Sequence, residues 1–438
     1  MFRSGELPRT VRPYELSQSE RSDPHAPRYF DRFLFIAWAL AVTYLEVGKS
    51  ALLPGILWSL AYLVGFITIF IERKTVFPLL RASAPLVLAF VVAALSGVLS
   101  ESPILSAQST FGLLGATVIA IALACRLGLK GFIETIGLLI VLEAASSALL
   151  IFYNPDLGVM GGGEWQGIFA HKNELGLAMV LGIVTLACLG DEWRGARRLL
   201  RIAALAAMVV LILGSRSATS LSVALTFALI FPLGLWSRAR NDVRPALFGG
   251  LLLSVPVAAA LLTGVGANRL LGVFGRDTSL SGRSDLWQVV IADIGQRPAL
   301  GYGYGVYWSP NGPAAHYLLR IIHWNPGMAH NGFLEVALNT GLVGVAVLIL
   351  LLVVGVTRAW AQFWEGRDRA SAWPFYAIVY VILSNFSEAS FERRHNIHWV
   401  VFVAAFLFAT DYCLRRARSK APAQVRLQPV QLPSNATR

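Results

Sequence analysis

The run NGFLEVALNTGLVGVAVLILLLVVGV occupies residues 331–356 and is introduced by Ala329-His330. After Glu335 it carries no charged side chain until Arg358. About 20 such residues cross the roughly 30 Å of hydrocarbon in a bilayer, so the run reads as a spanning helix. Directly before it lies the polar interruption Gly264–His330. Loops beyond about 12–15 residues are usually functional or disordered. Disorder does not suit a stretch rich in Tyr, Trp and Leu. It carries Arg269, Arg276, Arg283, Arg297 and Arg320 and no lysine. Guanidinium groups suit planar or phosphorylated anions. The interruption therefore reads as the lid and half the active site of a membrane enzyme.

Composition agrees with a membrane chain. Of 438 residues, 56% are hydrophobic and 14% charged, against about 25% charged in a soluble domain. The apolar segments are continuous rather than alternating, which excludes a β-barrel. The expected fold is all-α and polytopic, with about twelve transmembrane helices. The runs fall near 32–48, 51–71, 84–100, 109–126, 131–153, 173–190, 199–214, 217–236, 245–263, 331–356, 372–386 and 395–413. This divides the chain into a tail 1–31, helices 1–9 over 32–263, a long loop 264–330 with amphipathic helices, helices 10–12 over 331–413, and a tail 414–438.

The net charge of +12 is a topology signal rather than the mark of a nucleic-acid partner. Arg73, Lys74 and Arg81, then Arg126 and Lys130, then Arg194, Arg197, Arg198 and Arg201 lie between alternate pairs of runs. Arg238, Arg240 and Arg244, then Arg358, Arg367 and Arg369, continue the alternation. Basic loops stay inside, so both termini are expected in the cytoplasm. The long loop, 154–172, 215–220 and 387–394 are then outside. A polar tail precedes the first run, which is expected to be a retained anchor rather than a cleaved signal. Cys125, Cys188 and Cys413 show no metal spacing and read as free thiols.

The outer segments hold the residues suited to chemistry. Arg216 sits among Ser215, Ser217, Thr219 and Ser220, where it either faces a polar pocket or snorkels to headgroups. Arg283 follows Gly282, and Ser284 can cap a helix that ends at Arg297-Pro298. Arg283 then stands at the positive end of that helix, a place suited to phosphate; pairing with Asp285 is the plainer alternative. The turn Gly301-Tyr302-Gly303-Tyr304-Gly305 lacks a Walker lysine, and its tyrosines suit sugar stacking. His330 can take a proton from an attacking hydroxyl, or can serve as a structural helix cap. Glu335 can orient or replace that base. His171-Lys172-Asn173-Glu174 closes the loop after Gly161–Gly167, and Glu388, Glu392, Arg393, Arg394 and His395 gather in the last outer turn. No zinc spacing occurs, and no Asp-rich motif of the kind that holds Mg²⁺. No metal and no cofactor is therefore expected.

At these residues the chain resembles the O-antigen ligase and O-antigen polymerase superfamily, most of all exopolysaccharide polymerases of the succinoglycan type. The resemblance rests on Gly167-Ile168-Phe169-Ala170-His171-Lys172-Asn173-Glu174-Leu175-Gly176, Ser215-Arg216-Ser217 and Gly282-Arg283-Ser284-Asp285-Leu286-Trp287. Pro298-Ala299-Leu300-Gly301-Tyr302-Gly303 and Ala329-His330-Asn331-Gly332-Phe333-Leu334-Glu335 complete the set. It implies a metal-independent, inverting glycosyltransferase of the GT-C type in the bacterial inner membrane, with its site at the periplasmic face. The implied donor is an undecaprenyl-diphosphate-linked oligosaccharide, held by Arg216 and Arg283, with His330 as base. His171, Lys172 and Asn173 are implied in support, and Glu335 and Arg393 are added from their position. Membrane lipids surround the chain, and a chain-length co-polymerase is an implied partner. An O-antigen ligase acting on lipid A-core, and a lipid-linked sugar flippase, are the competing readings.

Overall fold

The computed structural model describes residues 52–189, 195–239, 283–310, 326–366, 368–394 and 396–420, with a few single positions besides. The tails 1–31 and 421–438, most of the expected spans 32–48 and 245–263, and Arg269, Arg276, Gly282, His316, Arg320, His323 and His395 lie outside the described residues.

The described chain is helical. Helices α1 (Leu52–Ile71), α2 (Arg73–Ala82), α3 (Ala84–Val98) and α4 (Pro103–Tyr153) are followed by α5 (Lys172–Cys188), α6 (Ala196–Ser215) and α7 (Ala218–Ala239). Then come α8 (Arg283–Gln296), α9 (Gly332–Glu365), α10 (Trp373–Ser384) and α11 (Ile397–Lys420). This is an all-α, multi-pass membrane protein. Among the described residues α4, α6, α9 and α11 are long and apolar enough to cross alone, and the bent pair α1–α2 adds a fifth candidate. The expected runs 109–126 and 131–153 both fall on α4. Those at 84–100, 173–190, 217–236 and 372–386 fall on shorter helices or on α7, which contains Pro232.

Two glycines explain the longest helices. A straight α4 of 51 residues would measure about 75 Å at 1.5 Å per residue, more than twice the hydrocarbon thickness. It breaks instead at Gly128, whose φ of 64° and ψ of 177° are not helical. In α9 the break is at Gly341, with φ 68° and ψ −168°. A broken helix frees backbone groups, which hydrocarbon cannot satisfy. Here the turn 298–303 supplies the partners. Leu342 N–H donates to Pro298 O at 2.7 Å, and Tyr302 and Gly303 N–H donate to Leu338 O and Asn339 O at 2.8 and 3.1 Å. The glycine-tyrosine turn is thus a plug in a helix break. Its Tyr302 is not a free stacking platform. It is buried, its hydroxyl donates to Asp293 O at 3.0 Å, and it packs with Leu286, Val290 and Tyr307.

A Cβ at Gly341 would fall on the backbone carbonyl of Ala299, and its φ is one that L side chains adopt at a cost. Gly341→Ala is therefore expected to destabilise the fold by at least about 1–2 kcal/mol. A thermal melt of the detergent-solubilised protein that does not move would show that the break tolerates a side chain.

The core lies between α4, α5, α10 and α11, where Phe132, Trp373, Tyr376, Tyr380, Trp399 and Phe402 are fully or almost fully buried. Its polar tips are paired across helices. Trp399 Nε1 donates to Thr117 Oγ1 at 2.9 Å, and Tyr380 hydroxyl donates to Leu177 O at 2.7 Å. Outward faces keep large apolar groups exposed, among them Phe70, Val98, Ile104, Phe152 and Leu229, as a lipid-facing surface requires. One end of the bundle carries the ion pairs Arg32–Glu134, Arg126–Glu72, Lys130–Asp368 and Arg416–Glu365. The other end holds the candidate site. Cys125, Cys188 and Cys413 form no disulfide among the described residues, and Cys188 is buried.

Candidate active site

Three segments far apart in sequence meet on one carboxylate, Glu388, in the turn between α10 and α11. Arg283 Nη2 lies 3.1 Å from Glu388 Oε1, and Asn173 Nδ2 donates to the same oxygen at 2.7 Å. His330 Nδ1 lies 3.3 Å from Glu388 Oε2. A carboxylate only accepts, so Nδ1 is the donor in this contact, and in a neutral imidazole Nε2 is then the lone-pair nitrogen. The three side chains of Arg283, His330 and Glu388 are 11%, 17% and 12% exposed.

Each member has a local reason for its place. Arg283 is the first described residue of α8. Ser284 lies inside that helix rather than ahead of it, since the helix already includes Arg283. One turn on, Trp287 Nε1 donates to Ala329 O at 2.9 Å, while Ala329 N–H donates to Glu335 Oε2 at 2.8 Å. The peptide ahead of His330 is thus held from both sides. Glu335 is a positioning group; it also accepts Trp308 Nε1 at 3.0 and 3.1 Å. The helix cap is Asn331, whose Oδ1 accepts Phe333 and Leu334 N–H. His330 has no capping duty and takes a left-handed φ of 49°, a conformation stored mostly at functional sites.

The supporting residues divide by role. His171 is the structural cap, with Nδ1 accepting Asn173 N–H at 3.2 Å. Burial pushes its imidazole below the usual range, and Lys172, His330 and Arg283 add to that against Glu388. Lys172 pairs with Glu164 at 3.0 Å and fastens the loop ahead of α5. Asn173 connects two halves of the site, because its Oδ1 accepts Ser217 Oγ at 2.8 Å. Ser217 adjoins Arg216, which ends α6 with φ 48°. Arg216 is exposed, and its Nη1 lies 3.5 Å from Gly162 O. The two arginines are thus linked through Ser217, Asn173 and Glu388 rather than through a shared partner. Arg393 is 40% exposed and 3.9 Å from Glu174. Arg297, another loop arginine, pairs with Glu101 and covers the Tyr302 ring. Among the described residues no three His, Cys, Asp or Glu side chains converge as a metal set.

Glu388 is the residue that sequence reasoning left out of the site. Its position in the charged outer turn was visible, its partners were not. Burial alone would raise its carboxyl. The His330 hydrogen bond, the charges of Arg283 and His330, and the Asn173 amide outweigh that and hold it at about 2. A free glutamate titrates near 4.3. The contribution of these contacts is therefore full above that value and is lost as pH falls toward 2. A thermal midpoint that drops below about pH 4 in the wild type, and less steeply in Glu388→Gln, is the expected result. Parallel profiles would show that Glu388 is not the group responsible.

Residues 201–349 match the family described as O-Antigen ligase. This central segment is what the chain shares with that family. The chain is also 32% identical over 229 residues to "Exopolysaccharide production protein ExoQ" of Rhizobium meliloti (strain 1021). That alignment covers 48% of this chain and 51% of the relative, so the chain spans about half the length of the curated relative it matches. The O-antigen ligase segment includes Arg216, Arg283, His330 and Glu335, whereas Asn173, Glu388 and Arg393 lie beyond its limits.

Proposed function

We propose that this protein is a glycosyltransferase of exopolysaccharide assembly that joins polyprenyl-diphosphate-linked oligosaccharide units in a bacterial inner membrane. The observation that carries the reading is the Arg283–Glu388–His330 cluster. In it a guanidinium suited to phosphate, in the first described turn of α8, shares Glu388 with an imidazole suited to act as a base. The exopolysaccharide relative and the O-antigen ligase match support the same chemistry.

In this mechanism the donor diphosphate, of the undecaprenyl type, lies between Arg216 and Arg283. A guanidinium has five N–H donors, so Arg283 can hold Glu388 and a phosphate oxygen together. The two arginines offset the negative charge that grows on the leaving diphosphate. Nε2 of His330 takes the proton from the acceptor hydroxyl as its oxygen attacks the anomeric carbon, and Glu388 stabilises the imidazolium that forms. A single displacement inverts that carbon. The metal-independent route suits a site whose cations are arginines. The charge bias of the loops supports a site at the periplasmic face, with the tails in the cytoplasm.

Polymerisation is favoured over ligation by the relative, which is named for exopolysaccharide production. Ligation to lipid A-core is the second reading, favoured by the family match. Purified protein in proteoliposomes, given a lipid-diphosphate-linked repeat unit, is expected to yield a ladder of longer lipid-linked products. Transfer only to added lipid A-core would make it a ligase. Movement of lipid-linked sugar across the bilayer with no glycosidic bond formed would replace both with a flippase.

A further inference from the structure

Behind Glu388 lies a cavity of about 570 Å³, within the size range of small-molecule sites. Its wall includes Phe169, Tyr304, Trp308, Phe391, Glu392 and Arg393, a mixture of rings and hydrogen-bonding groups. Most polar groups on this wall already have partners. Glu335 holds Trp308 and the Ala329 amide, Glu388 holds Arg283 and Asn173, and Arg394 reaches Ser109 Oγ at 3.2 Å. Glu392 differs. Its side chain belongs to a residue only 3% exposed, and among the described residues its carboxyl makes no hydrogen bond or ion pair. Its backbone carbonyl accepts the Tyr304 hydroxyl, and its φ is 50°. A buried carboxyl without a partner and a left-handed backbone both oppose stability, and such costs persist where a ligand uses them.

We infer that this cavity is a sugar subsite in which the Glu392 carboxyl binds the hydroxyls of one ring of the glycan, with Trp308 beside it as an apolar wall. The inference rests on the glycosyl-transfer reading and names the part of the substrate that this side of the site holds. Burial pushes the Glu392 carboxyl up to about 8. Below that value it is largely protonated, so it both donates and accepts, as a sugar hydroxyl does. No bond is made or broken by Glu392; its role is to bind and position.

The test follows from the missing partner. Glu392→Met keeps the volume and removes a polar group that no protein group satisfies, so its thermal midpoint should equal or exceed that of the wild type. In the proteoliposome assay its apparent KM for one of the two glycans should rise about tenfold, the loss of one or two hydrogen bonds, with a smaller change in kcat. Varying donor and acceptor separately shows which glycan enters the cavity. Glu392→Gln, which still donates and accepts, should restore KM to within a few-fold of the wild type. An active wild type with neither KM changed in Glu392→Met overturns the inference, as does a lowered melting point with unchanged KM. A wild type that transfers nothing counts against the reaction. The subsite is then decided by equilibrium binding of the free repeat-unit oligosaccharide, weakened in Glu392→Met and kept in Glu392→Gln if the inference holds, and equal in all three proteins if it does not.

Discussion

His330→Ala is expected to lower the rate of transfer by roughly 10²- to 10⁴-fold, the usual contribution of a positioned general base, while leaving the protein folded. Folding should survive because the cap of α9 is Asn331 and the clamped peptide belongs to Ala329. Small size also helps: alanine accepts a φ of 49° no worse than most side chains, at a cost of about 1–2 kcal/mol. The measurement is single-turnover transfer in proteoliposomes, together with a melting curve of the same sample. KM for the lipid-linked donor should change little, since Arg216 and Arg283 hold the diphosphate in the proposed mechanism. Full activity in a folded His330→Ala protein would remove the imidazole from the reaction, whatever the family.

Glu388→Ala is expected to do two things at once. It leaves Arg283, 11% exposed, beside an emptied position, and removing one partner of a largely buried ion pair costs on the order of 3 kcal/mol. It also removes the carboxylate that His330 Nδ1 contacts, and with it that contact's hold on the ring's orientation and tautomer. For a base-orienting carboxylate that loss is about 10²- to 10⁴-fold in rate. The two effects separate by substitution. Glu388→Gln keeps the shape and can still accept from Asn173, so it should melt closer to the wild type yet remain slow. In Arg283→Ala/Glu388→Ala the unpaired charge is gone, so the melting loss should be smaller than in Glu388→Ala alone. Equal melting losses in the single and double variants would show that the pair is not the source of the cost. A Glu388→Gln protein with wild-type rate would show that the carboxylate does not act through His330.

The membrane architecture was legible because hydrocarbon imposes a simple demand: apolar side chains on the outside and helices long enough to cross. Runs such as 131–153 and 331–356 satisfy it in plain view, and they fall on α4 and α9. Arg283, His330 and Asn173 were legible for another reason. Polar groups beside apolar runs are conspicuous, and all of them stood in segments assigned to one side. Glu335 and the tyrosines of the glycine-rich turn were visible too, but the groups they touch were not. Glu335 holds a backbone amide and an indole, and Tyr302 points into a small core. A side chain's type does not say whether it faces a substrate or its own protein.

By itself the sequence determined a multi-pass helical bundle, the spacing of its apolar runs and the segments from which the site is built. Those follow from composition and periodicity, which are local properties of the chain. The tertiary structure alone decided that Asn173, Arg283 and His330 share Glu388, and that the turn 298–303 fills the break at Gly341. It also decided that Glu392 faces a cavity without a partner. Each of these depends on segments separated by tens to hundreds of residues, such as Asn173 and Glu388, 215 positions apart. Hydrogen bonds act over about 3 Å, so which groups meet is set by how the helices pack and not by their order along the chain.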